Sequence, residues 1–111
     1  RKGAAHYRLE QYEVAIEAFD QALAIDSEHA SSYNVRGLSF KAIGKSHLAE
    51  LDYNMAINID PTKEAYFYNR GIVYFESGEY GKAASDFGVA AYLAPDNENI
   101  QTMLDRAQAQ T

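Results

Sequence analysis

Three histidines, at positions 6, 29 and 47, are the side chains best suited to proton transfer or metal binding near neutral pH. A metal site needs further ligands at a defined helical or loop spacing, and a catalytic base needs a nucleophile or acid converging on it. None of the three has that company. His6 takes a place that elsewhere in the chain is a core aromatic, and His29 and His47 fall near loops. Serines are plentiful, yet no serine–histidine–acid arrangement emerges. Asp96 and Glu98 form a carboxylate pair at a loop and a helix start, where capping and the helix dipole explain them. Gly78-Glu79-Tyr80-Gly81 lacks the spacing and the lysine of a phosphate loop and reads as a turn between helices. Zero cysteines exclude a disulfide framework, a thiolate zinc site and a cysteine nucleophile. The chain reads as no enzyme, with no catalytic residue, cofactor or metal ligand to assign.

Length and composition narrow the classes further. At 111 residues the chain reads as a single domain, and 47% hydrophobic residues supply a real core. No apolar run approaches the ~18–20 residues of a membrane span, and nothing at the start resembles a secretory leader. Ten Lys and Arg stand against sixteen Asp and Glu, a net charge of −6 with no acidic tail. Nucleic acid and anionic membranes both require a clustered basic patch, so neither is an expected partner. The compartment is not readable, with the cytoplasm as the default expectation.

The elements that must position any site are marked by a period. Ala15, Ala49 and Ala83 are 34 residues apart. Four residues after each comes a ring (Phe19, Tyr53, Phe87), and three further on another alanine (Ala22, Ala56, Ala90). Twelve residues before each first alanine lies a glycine: Gly3, Gly37 and Gly71. Such a period implies stacked supersecondary units, none of which buries its apolar face alone. Within each unit the apolar spacing is helical: Tyr12, Ala15, Ile16, Phe19, Ala22, Leu23 in the first, Leu48, Leu51, Met55, Ile59 in the second, Tyr80, Ala83, Ala84, Phe87 in the third. Preceding helices are expected over Ala30–Ile43 and Glu64–Ser77, with only the end of one at Arg1–Leu9. Pro61 and Pro95 mark stops, with Ser27 in the matching place, and Gly44 and Gly78 end the first helices of their units. Ser46 and Thr62 are candidate N-caps, and Asp96 or Asn97 caps a last helix, Glu98–Gln110. Alanine lets paired helices approach and the ring fills the space beside it. The facing glycine costs ~1 kcal/mol of helix propensity, so its recurrence at one phase has a steric reason.

In this frame the residues resemble tetratricopeptide repeats, whose signature runs Trp-x2-Leu-Gly-x2-Tyr, Ala-x3-Phe, Pro. The second unit reads Tyr33-x2-Arg36-Gly37-x2-Phe40, Ala49-x3-Tyr53, Pro61; the third reads Phe67-x2-Arg70-Gly71-x2-Tyr74, Ala83-x3-Phe87, Pro95; the first keeps Gly3-x2-His6, Ala15-x3-Phe19 and Ser27. The resemblance implies an all-α, right-handed solenoid of three helix-pair repeats over about 1–29, 30–63 and 64–97. The first is truncated, and a capping helix at about 98–110 follows. Because Arg1 falls partway through a repeat, the chain is expected to be a piece of a longer array. Arginine replaces the usual leucine at Arg36 and Arg70, and each has an aspartate 16 residues on, Asp52 and Asp86. Arg36–Asp52 and Arg70–Asp86 pairs within their repeats are the expected consequence. Ser46 replaces the aromatic seen at Tyr12 and Tyr80.

The resemblance also implies a function: a protein–protein interaction scaffold whose concave face takes a peptide or helix. Residues three before, one after and four after each glycine face that groove. They are Ala4 and Tyr7 in the first unit; Asn34, Leu38 and Lys41 in the second; Tyr68, Ile72 and Phe75, with Asn69 beside them, in the third. Equally, Tyr68, Ile72 and Phe75 are placed to pack on neighbouring helices. Some relatives grip the C-terminal carboxylate of heat-shock chaperones with a clamp of lysine, asparagine and arginine. Here those places hold Ala4, Val35, Ala65 and Asn69, so the clamp is absent. Two further readings stay open. One is a self-assembly module forming a homo-oligomer through the open N-terminal end, the other a targeting or regulatory segment of a larger protein.

Overall fold

The computed structural model describes residues 2–111, with side chains from Glu10 onward. The expectations placed on Gly3, Ala4, His6 and Tyr7 lie outside the described side chains. Among the described residues there are six helices and no strand: α1 (Lys2–Ile25), α2 (Ala30–Ala42), α3 (Ser46–Ile59), α4 (Glu64–Glu76), α5 (Tyr80–Leu93) and α6 (Glu98–Gln110). They form two compact units, Arg1–Ile59 with α1 to α3 and Asp60–Thr111 with α4 to α6.

The 34-residue period becomes repeated packing. Ala49, Tyr53 and Ala56 on α3 are 0% exposed, and so are Ala83, Phe87 and Ala90 on α5. In each pair the glycine of the preceding helix faces the ring: Gly37 faces Tyr53 and the Ala49 carbonyl, and Gly71 faces Phe87. Small residues thus bring two backbones together around one large side chain, the close interdigitation that stabilises protein interiors. In the second unit α6 adds Ile100 and Ala107 to the buried set. Met103 and Leu104 pack against the Ala83–Phe87–Ala107 cluster, while Gln101, Thr102, Asp105 and Arg106 face outward.

The turns follow from residue type. Gly44 and Gly78 have φ of +85° and +81°, a conformation that costs other residues steric strain. The amide of Gly44 donates to the Lys41 carbonyl and that of Lys45 to Phe40; Gly78 to Phe75 and Glu79 to Tyr74 repeat the arrangement. This is the glycine-terminated helix end that satisfies orphan carbonyls. Asn97 caps α6, its Oδ1 accepting from the Ile100 amide at 3.2 Å. The other caps differ from expectation. Ser46 is the first residue of α3 itself, and Lys63 holds the cap position of α4 without a side-chain bond. Thr62 turns instead to Asp60, donating from its hydroxyl at 2.6 Å and its amide at 3.1 Å to Oδ1. Those bonds hold the Asp60 carboxyl below its usual range, and Thr62, occupied in the turn, does not cap.

The first repeat departs from the other two. The expected break between Arg1–Leu9 and a second helix does not occur, and α1 runs unbroken for 24 residues. The residue 34 before Gly44 is Glu10. A glutamate pays for the left-handed conformation that glycine takes freely, so nothing stops the helix and propagation adds a bond per residue. In consequence Ala15 and Phe19 are only half-buried and Ala22 is exposed.

The two arginine pairs form as the spacing requires. Arg36 donates from Nε to Asp52 Oδ2 at 2.8 Å and from Nη2 to Oδ1 at 2.6 Å. Arg70 repeats this on Asp86 at 2.8 and 2.7 Å. Each guanidinium lies between two rings of its own helix: Tyr33 and Phe40 at 5.5 and 5.8 Å, Phe67 and Tyr74 both at 5.8 Å. A two-pronged bond to a buried carboxylate fixes the helix pair in register as well as in contact. Arg36 also reaches Asp20 of α1 at 2.8 Å, a partner the repeat spacing does not reveal. Its bond to Asp52 raises the guanidinium pKa further, against the opposing effect of burial.

Candidate functional site

On α2, Asn34 and Lys41 are half-buried and Leu38 is 42% exposed. Their i, i+4, i+7 spacing places them along one stripe, and both polar residues already have interactions within the protein. Tyr7 lies outside the described side chains.

On α4, Tyr68, Ile72 and Phe75 pack partly buried against Ala83, Phe87 and Ala107 of their own unit. The Tyr68 ring sits 5.7 Å from Phe87 at 50°, and Phe75 meets Tyr80 edge-on at 5.1 Å. These three residues therefore extend the core. Only their uncovered edges are left to a ligand. Asn69 beside them is half-buried and engaged.

The structure adds a feature the sequence did not reveal. A pocket of about 340 Å³ is lined by Glu64, Ala65 and Tyr68 of α4 and by Asn97, Asn99 and Ile100 at the start of α6. Its lining combines apolar surface, from Ala65, the Tyr68 ring and Ile100, with one carboxylate, two amides and a phenol. That combination of shape and a few convergent polar groups is what small recognition sites have. Among these lining residues the sequence pattern marks Tyr68 as groove-facing and Ala65 as a place where the clamp residue is missing. Asn97 is legible only as a cap, and Glu64 and Asn99 have no signal beyond their places at helix starts. Among the described residues no group of three or more His, Asp or Glu gathers as a metal ion would require.

Repeated glycine–ring helix pairs define a helical-repeat module. The tetratricopeptide repeat pattern matches residues 1–29. The STIP1 homolog of Dictyostelium discoideum is 24% identical over 110 residues, covering 99% of this chain and 20% of that protein. This chain spans about a fifth of the length of the curated relatives it matches. Among solved structures, the Arabidopsis OM64 TPR domain superposes with a TM-score of 0.87 at 27% identity, over 99% of this chain and 91% of that one. The second TPR domain of human RPAP3, solved in complex with the HSP70 peptide SGPTIEEVD, gives 0.83 at 28%, over 96% and 89%. In sequence pattern and in fold the chain is thus similar to tetratricopeptide-repeat proteins.

Proposed function

We propose that the chain is a protein-interaction scaffold that binds a peptide segment of a partner, without catalysis. Asn34, Leu38 and Lys41 on α2 and Tyr68, Asn69, Ile72 and Phe75 on α4 would be its contact residues, each set within its own unit, with Tyr7 at the matching place in α1. The supporting observation is the pocket beside α4, which offers apolar surface together with hydrogen-bonding groups. The RPAP3 neighbour's bound HSP70 peptide supports the same reading by analogy. Val35, Ala65 and Asn69, at places where a chaperone-tail clamp carries asparagine, lysine and arginine, argue for a different peptide.

The test is a titration of isotope-labelled chain with a pool of nonapeptides, read from amide shifts. The expected result is saturable shifts at residues 64–72 and 97–100, weakened by the neutral, bulkier Ala65→Gln with the melting temperature unchanged. No saturable shift, or shifts indifferent to Ala65→Gln, would contradict it.

A second reading rests on α1. Its half-buried Ala15 and Phe19, exposed Val14 and Ala22, and an open hollow of about 490 Å³ beside Glu10, Gln11, Val14 and Ala15 leave a stripe that a second copy would cover. Mass by light scattering across a concentration series tests it: a strict monomer removes the reading.

A further inference from the structure

The pocket beside α4 has a charge as well as a shape. Two helix N-termini border it, and each brings about half a positive charge. Each is already matched by an acid in its first turn, Glu64 in α4 and Glu98 in α6. No lysine or arginine is among the lining residues, while the half-buried Glu64 carboxylate makes no hydrogen bond or ion pair with the described residues. Asn97 uses its oxygen to cap the Ile100 amide, which leaves its NH2 to point elsewhere. The uncommitted groups are thus one carboxylate, amides and a phenol beside apolar surface.

We propose that this pocket takes an extended peptide carrying a lysine or arginine side chain, whose stem lies on Ala65 and the Tyr68 ring and whose cation meets Glu64. The inference rests on the peptide-binding reading above and names the chemistry of its ligand. A lysine or arginine suits such a place because its methylene stem covers apolar surface while its charged head stays at the edge. An acidic peptide would bring a like charge against Glu64 with no basic group lining the pocket to offset it. The asparagine amides remain available to the peptide backbone. The preference is therefore opposite in sign to that of an acidic tail such as SGPTIEEVD, the peptide bound to the RPAP3 neighbour.

The experiment uses the full chain, immobilised, and a positional-scanning library of acetylated, amidated nonapeptides with SGPTIEEVD as a separate probe. The expected outcome is enrichment of lysine or arginine at one position and weaker retention of SGPTIEEVD. Glu64→Gln should lose that enrichment and bind the selected peptide about twofold to fivefold more weakly, as an exposed ion pair allows. Raising the salt concentration should weaken the unaltered chain's binding in the same sense, a readout that needs no variant. Selection of acidic peptides, or equal retention of all charges, overturns the charge inference while peptide binding stands. Retention of no peptide overturns the peptide-binding reading and this inference with it.

Discussion

A Cβ placed on Gly37 would lie 2.7 Å from Cε1 of Tyr53, closer than two carbons can sit. The same atom on Gly71 would lie 2.7 Å from Cε1 of Phe87. Both rings are fully buried, so making room for a Cβ means shifting a core side chain. Gly37→Ala and Gly71→Ala are therefore expected to lose about 1–3 kcal/mol by overpacking, although alanine gains ~1 kcal/mol of helix propensity. Urea midpoints measure this; a stabilised alanine variant would contradict it.

Tyr53 and Phe87 occupy equivalent places, but the Tyr53 hydroxyl is buried with no hydrogen-bond partner among the described residues. Tyr53→Phe is expected to be neutral or to stabilise by roughly 1 kcal/mol, because an unpaired buried hydroxyl costs free energy. The same change alters the alkaline limb. Burial first, and then the charge of Asp52, push the Tyr53 phenol above its ordinary value near 10. A native pKa above the unfolded one means the stabilisation is complete below pH ~10 and is lost as pH rises towards the native value. Thermal melts from pH 9 to 11 should show a shallower decline for Tyr53→Phe. Tyr66, also raised by burial and then by Asp60, keeps part of the slope.

The arginine pairs predict non-additive substitutions. Asp86→Ala removes the two-pronged partner of the largely buried Arg70 guanidinium, which keeps its other interaction within the protein, and is expected to cost about 1–3 kcal/mol. Arg70→Leu strands Asp86 similarly. The double variant Arg70→Leu/Asp86→Ala should recover most of either loss in a double-mutant cycle. Asp20, whose side chain is 55% exposed, should cost only about 0–1 kcal/mol when changed to alanine.

Glu10→Gly should restore the stop that Gly44 and Gly78 provide elsewhere. Glycine in a helix interior costs ~1 kcal/mol, so amide protection around residue 10 should fall about fivefold in hydrogen exchange. Unchanged protection would mean that Glu10 is not what keeps α1 continuous.

The repeat geometry was legible because it rests on residues whose roles are local and steric. Ala49, Tyr53 and Gly37 each have one reason for their type, and their spacing states it. The Arg36–Asp52 and Arg70–Asp86 pairs were legible for the same reason. The continuity of α1 depends on what position 10 lacks, and a missing glycine is a weaker signal than a present one. Thr62 has both a cap and a turn within reach, and a sequence does not rank them. The site was less legible still. Tyr68, Ile72 and Phe75 face Ala83, Phe87 and Ala107 as well as the groove direction, since an arc of three residues on a helix touches more than one neighbour. Glu64 and Asn99 enter the pocket only because α6 starts beside α4, which no spacing within α4 encodes.

The most direct measurement is a proton NMR spectrum with nuclear Overhauser contacts assigned for the two glycines. Stacking under a buried ring predicts upfield-shifted α-protons at both Gly37 and Gly71, with strong contacts to the Tyr53 and Phe87 ring protons respectively. Ordinary shifts for either glycine, or contacts at one pair and none at the other, would contradict the equivalence of the two helix pairs.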